Sequence, residues 1–200
     1  MTVEDLHPRD EHVGRTFTAP HDELYRAMRG FLNDLKGAEE TYRKEVAQIR
    51  AKLQIPVQYT ETPDVERYSL AVQVFAAMTI EAAISFYAVL RFGGEHHDEH
   101  FRWGSPDKRL RTALTHAEVN LENDAEILRV VRTVMDARNE IVHPFSAEFK
   151  GTEQATIQVP HRLSPDVSAA AARNAIRHVE RFFELLRELD DAHSRFFVQF

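Results

Sequence analysis

Residues 62–94 read TPDVERYSLAVQVFAAMTIEAAISFYAVLRFGG, and this stretch decides the fold. Thr62 is a hydroxyl residue placed to cap free N–H groups. Pro63 supplies a preset φ at the first helical position, and Asp64 favours the positive end of the helix dipole. Gly93-Gly94 ends the run. Between Leu70 and Leu90 only Gln73, Thr79, Glu81 and Ser85 are polar. That length matches a membrane span, but a carboxylate at the midpoint is costly there. The reading is therefore a central helix, apolar all round because it is packed all round, and no membrane partner. Glu81 then falls in the middle of the core. It requires a cationic or hydrogen-bonding partner, with Arg138 as first choice.

The same punctuation recurs at Ser105-Pro106-Asp107 and Ser164-Pro165-Asp166. Asn123 with Glu126 three residues later reads as a capping box. Ala19-Pro20-His21-Asp22-Glu23 is a weaker start. These signals predict helices over about 21–53, 64–92, 106–117, 124–143 and 165–196, after a loose tail over 1–19. Gln154 to Val159 alternates and reads as one arm of a small β-hairpin near 145–160. No internal repeat or low-complexity run interrupts the pattern. The sum is an all-α, up-and-down bundle of about five helices, with residues 20–200 as one domain.

Composition narrows the function. Two hundred residues bury roughly 70% of the unfolded surface, enough for a sizeable core. The absence of cysteine excludes disulfides, a thiolate nucleophile and any Cys-ligated metal. The opening MTVEDLHPRDEHVG is charged and does not read as a secretory signal, so a cytoplasmic location is the default. A formal charge of −7 argues against a general nucleic-acid coat, though not against a local grip in one cleft. Of the 25 basic residues 20 are arginine, whose planar fork suits phosphate and carboxylate. On helices most of these serve simply as good helix formers.

Neither a Walker nor a Rossmann glycine loop is present, and no His-Glu-x-x-His. His96-His97-Asp98-Glu99-His100 contains only metal-ligating types. It follows Gly93-Gly94, however, where a solvated loop is expected, so no metal or other cofactor is assigned. The helix over 124–143 is more informative. Its apolar stripe runs Ile127, Val131, Val134, Met135, Ile141 and Val142, and helical spacing places Arg138 on that stripe. An arginine on the core side of a bundle helix requires a carboxylate, a partner chain or a phosphate. Asn139 lies beside it, one turn before His143. That histidine closes the helix before Pro144, where the dipole favours its protonated form.

Arg138-Asn139-Glu140-Ile141-Val142-His143 resembles the signature of HEPN domains. That family is all-helical and often dimeric, and carries R-x(4–6)-H with a polar residue, commonly Asn, after the Arg. Many members are metal-independent ribonucleases of toxin–antitoxin, abortive-infection or CRISPR defence systems. In the toxin branch the motif continues H-x-Tyr. Here it continues His143-Pro144-Phe145, which keeps the ring and loses the hydroxyl. The bare R-x(4)-H spacing occurs four times, at Arg91/His96, Arg111/His116, Arg138/His143 and Arg173/His178. The third is chosen for its apolar Ile141-Val142 pair, its helix-closing histidine and its place late in the bundle. Arg173/His178 keeps the Asn but reads as solvated face.

What the resemblance implies is an endoribonuclease acting through the RNA 2′-OH, as a toxin or phage-defence effector. His143 would be the proton-transfer residue, Arg138 the transition-state cation and Asn139 the orienting group. Arg129 and Arg132 would extend the phosphate track, with Glu81 and Phe145 in supporting positions. It further implies RNA as substrate, a homodimer sharing one cleft, and an antitoxin or defence-complex partner. Two other readings stay open. One is a non-catalytic HEPN-like module in which Arg138 is tied to Glu81. The other is an interaction subunit docking through Phe182-Phe183 to Phe196-Phe197.

Overall fold

The computed structural model describes residues 20–53, 63–142 and 164–194. These residues form seven helices and no strand: α1 (Pro20–Leu53), α2 (Pro63–Phe92), α3 (Gly94–His100), α4 (Pro106–His116), α5 (Glu126–Val142), α6 (Pro165–Leu189) and α7 (Asp191–Ser194). The all-α reading holds. The count of about five does not, because α3 and α7 were not expected as separate helices. The expected hairpin near 145–160 lies outside the described residues, as do the tail over 1–19, His143 and Phe145.

The helix starts follow the punctuation unevenly. At α6 the Ser164 hydroxyl accepts a hydrogen bond from the Val167 N–H at 3.4 Å, as a cap should. At α4 the Ser105 side chain caps no backbone N–H, and Pro106 alone sets the start. The Asn123–Glu126 box does not form. Here α5 starts at Glu126 itself, and the Asn123 carbonyl instead accepts from Arg111 at 3.1 Å and Arg132 at 3.2 Å. The last helix breaks at Asp190, whose backbone leaves helical geometry at φ −148° and ψ 75°. Its carboxylate then accepts from Tyr87 at 2.8 Å and from His193 at 2.9 Å, with Arg91 at 3.6 Å. Burial alone would raise the Asp190 pKa, but the bonds from His193 and Tyr87 outweigh it and hold the carboxyl below its ordinary value.

Packing centres on α2, which touches all six of the other helices. Its inner residues Val72, Ala76, Ile80, Ala83, Ile84 and Tyr87 are buried against Met28 and Leu35 of α1, Ile127 and Val131 of α5, and Phe182 and Phe183 of α6. Full burial of one such aromatic or branched side chain contributes about 1.5–3 kcal/mol. The expectation that α2 is enclosed on every side is corrected. Leu70, Met78 and Val89 lie exposed. By length and composition α2 could cross a membrane, with a mean hydropathy of 1.6 over its best window. A core helix satisfies the same criterion, and α2 packs as one.

His21 belongs to the weaker of the expected helix starts, and no role is expected for it from sequence. It is fully buried in the first turn of α1, with its ring centroid 4.9 Å from Phe86 and 6.0 Å from Phe183. Burial lowers its pKa, partly offset by Asp22 at 3.3 Å. The neutral form is therefore the folded form, and the unfolded chain binds the extra proton. The stability this group contributes is present above pH ~6.5, the ordinary histidine value, and is lost as the pH falls below it. Thermal melts at pH 7.5 and pH 5 should show a drop in melting temperature for the parent. His21→Phe should flatten that drop, and an unchanged drop would show that His21 does not carry it.

Candidate functional site

The polar end of α5 opens into a cleft of about 170 Å³ between α2, α4 and α5. Its lining includes Glu81 of α2, Pro106 and Asp107 of α4, and Arg132, Asp136, Arg138 and Asn139 of α5. Arg138 donates from Nη1 to the Asn139 Oδ1 at 3.1 Å, so the two motif residues form one polar pair at the cleft wall. The stripe that carries Arg138 is deeply buried only over its first half. Ile127, Val131, Val134 and Met135 are buried, whereas Val142 is exposed. Arg138 therefore marks where the stripe leaves the core, and it does not point into the core.

Glu81 corrects the sequence reading more sharply. Its side chain is 43% exposed and opens onto the cleft. Its cation is Arg109 of α4, with Nη1 3.6 Å from Oε1, and not Arg138. Arg109 itself is 9% exposed. It donates from Nε to the Phe101 carbonyl at 2.7 Å and from Nη2 to the Ser85 hydroxyl, which fixes α4 and the turn before it onto α2. Sequence reasoning missed Arg109. The available signal was its position four residues before Ala113 on the buried face of α4, beside Leu110 and Leu114. With a side chain this exposed, Glu81→Ala should destabilise by less than about 1 kcal/mol in chemical denaturation, the range of an exposed ion pair. A loss of several kcal/mol would restore the buried reading.

The two arginines assigned to a phosphate track differ in placement. Arg132 lines the cleft, but its Nε lies 3.3 Å from Asp107 and its Nη2 donates to the Asn123 carbonyl at 3.2 Å. It ties α5 to α4 and to the preceding loop. Asp107 is held below the ordinary carboxylate range despite the upward push of burial, by bonds from Ser105 and the Lys108 backbone and by Arg132. Arg129 is exposed and does not line the cleft. The cleft also holds three carboxylates, Glu81, Asp107 and Asp136, of which the sequence reading anticipated only the first.

Other candidates resolve differently from expectation. The His96–His100 run is helix α3 rather than a solvated loop. His96 and His100 are one turn apart, with ring centroids 4.3 Å apart, and His96 Nε2 lies 3.4 Å from His116 Nδ1. His96 also packs on Phe92 and on the buried Phe101, at 5.6 Å and 5.5 Å. Among the described residues no group of three or more His, Asp or Glu side chains is arranged to hold a metal ion. Arg173, read as solvated face, instead reaches Glu39 of α1 at 2.8 Å, and that glutamate side chain is only 10% exposed.

The class defined so far is an all-α bundle with an arginine–asparagine pair at the wall of a polar cleft. Compared with known proteins, the chain matches no family model, no curated protein and no solved structure.

Proposed function

We propose that the chain is a metal-independent endoribonuclease of the HEPN type. The observation that carries this reading is the Arg138–Asn139 pair at 3.1 Å on the wall of a cleft, within an all-α bundle, at the end of the helix that His143 follows in sequence. RNA supplies its own nucleophile. His143 takes the 2′-OH proton, or gives one to the departing 5′-oxygen. The 2′-oxygen bonds to phosphorus, the bond from phosphorus to the 5′-oxygen breaks, and the products are a 2′,3′-cyclic phosphate and a 5′-OH. Arg138 donates to the phosphoryl oxygens as charge builds on them. Asn139 holds the guanidinium in register. Two copies of the chain would pair their motifs in one cleft, as the resemblance implies, and a toxin or defence role with an inhibiting partner follows from the same source.

A second reading, a non-catalytic helical interaction module, draws support from the three carboxylates in the same cleft. They oppose an anionic ligand, although Arg109 and Arg132 neutralise two of them. In the tie that this reading invoked, Glu81 meets Arg109 rather than Arg138. The deciding experiment incubates purified protein with end-labelled single-stranded RNA and with tRNA, with and without EDTA. Cyclic-phosphate ends formed at an EDTA-independent rate support the nuclease. Intact RNA from protein freed of any bound inhibitor favours the module.

A further inference from the structure

The chain has a single tryptophan, Trp103, and its side chain is 78% exposed. Single exposed apolar residues are ordinary on protein surfaces. What distinguishes this one is the backbone that carries it. Phe101, two residues before it, is buried, and its carbonyl is fixed by the Arg109 Nε. Gly104, directly after it, takes φ +113°, a conformation that L side chains rarely adopt, and the Arg109 Cγ lies 3.9 Å from where its Cβ would stand. Ser105 and Pro106 follow at once, and both line the cleft that holds Arg138 and Asn139. The indole thus stands within two residues of the cleft rim, on a turn anchored at both ends. The Arg102 guanidinium stacks over its ring at 5.3 Å.

An aromatic face with a stacked cation beside a site for phosphate is the arrangement that holds an unpaired base. We infer that Trp103, with Arg102, is a stacking platform for an unpaired nucleotide next to the cleaved phosphate, which makes the substrate single-stranded RNA. This rests on the ribonuclease reading above. A duplex keeps its bases stacked on one another and offers none to the indole. The turn that carries Trp103 is fixed before binding, so little order has to be acquired on contact.

The lone tryptophan is its own reporter. Intrinsic fluorescence is titrated with a short single-stranded oligoribonucleotide, 2′-O-methylated so that it cannot be cut, and with the same strand annealed to its complement. The single strand should change the emission saturably, and the duplex should do so only weakly. In cleavage assays Trp103→Ala should raise KM by roughly five- to a hundredfold, the worth of one base–aromatic stack, with kcat close to the parent's. Trp103→Phe should restore most of the loss. Parent-like KM in Trp103→Ala, or equal emission changes with single strand and duplex, would overturn the platform while leaving the nuclease standing. Loss of self-association in Trp103→Ala, seen by sedimentation with KM unchanged, would reassign the indole to a protein contact. No binding or cleavage of any RNA by the parent would remove the nuclease reading, and the platform with it.

Discussion

Protein carrying His143→Ala is expected to cleave single-stranded RNA at least 100-fold more slowly than the parent. General acid–base catalysis is typically worth about 10²–10⁴ in rate, and none of the described histidines lines the Arg138 cleft to replace it. Arg138→Ala should lose a similar factor in kcat, because the guanidinium acts on charge that appears only in the transition state. His178→Ala is the matched control from a second copy of the same spacing and should cleave like the parent. Arg173→Ala is not a silent control. It removes the partner of a nearly buried Glu39, so a stability loss of about 1 kcal/mol with unchanged specific activity is expected. The measurement is the initial rate of cyclic-phosphate formation, normalised to folded protein by circular dichroism. Parent-like rates in His143→Ala would refute the mechanism.

The largest effect on stability is expected at Arg109. Truncation to alanine removes the donors to the Phe101 carbonyl and the Ser85 hydroxyl, and leaves a void in the contact between α2 and α4. Hydrogen bonds from a charged donor are worth about 1.5–3 kcal/mol each, so a loss of roughly 3 kcal/mol is expected. Part of that is recovered because Glu81 can turn to water. Arg109→Lys should restore only a fraction, since a single ammonium cannot reproduce the fork that meets carbonyl, hydroxyl and carboxylate together. Urea denaturation followed at 222 nm measures both variants. If the alanine variant unfolded within about 0.5 kcal/mol of the parent, the ordinary range for surface changes, Arg109 would not hold α4 in place.

How far the sequence could be read follows from which forces act locally. The helices announced themselves because proline, aspartate and glycine act on their immediate neighbours. Their bounds fall within two or three residues of expectation for α1, α2, α4 and α5. Asn123 failed as a cap because Arg111 of α4 and Arg132 of α5 itself both bond its backbone carbonyl and shape that loop. The break at Asp190 was illegible for the same reason. Tyr87, Arg91 and His193 converge on its carboxylate from elements that spacing does not bring together. At the cleft, the periodicity of α5 correctly put Arg138 in line with Val134 and Val142. It could not show that the core ends before that turn. The partner of Glu81 depended on how α4 packs against α2, which no single-helix pattern contains. The neighbouring Asp107 and Asp136 were hidden likewise, as ordinary charges on two separate helices.

One helix joining all the others also divides the molecule by the lifetime of its amide protons. The buried residues of α2 from Val72 to Tyr87 lie in the shared core of a helix that meets every other one, so their N–H groups should exchange with solvent only when the whole bundle opens. The distal turns of α1, from about Arg43 onward, are mostly exposed and can open alone. Deuterium uptake should therefore separate into a slow class on α2 and a fast class at the far end of α1. Protection of that far end in the presence of any ligand would report binding there rather than at the cleft.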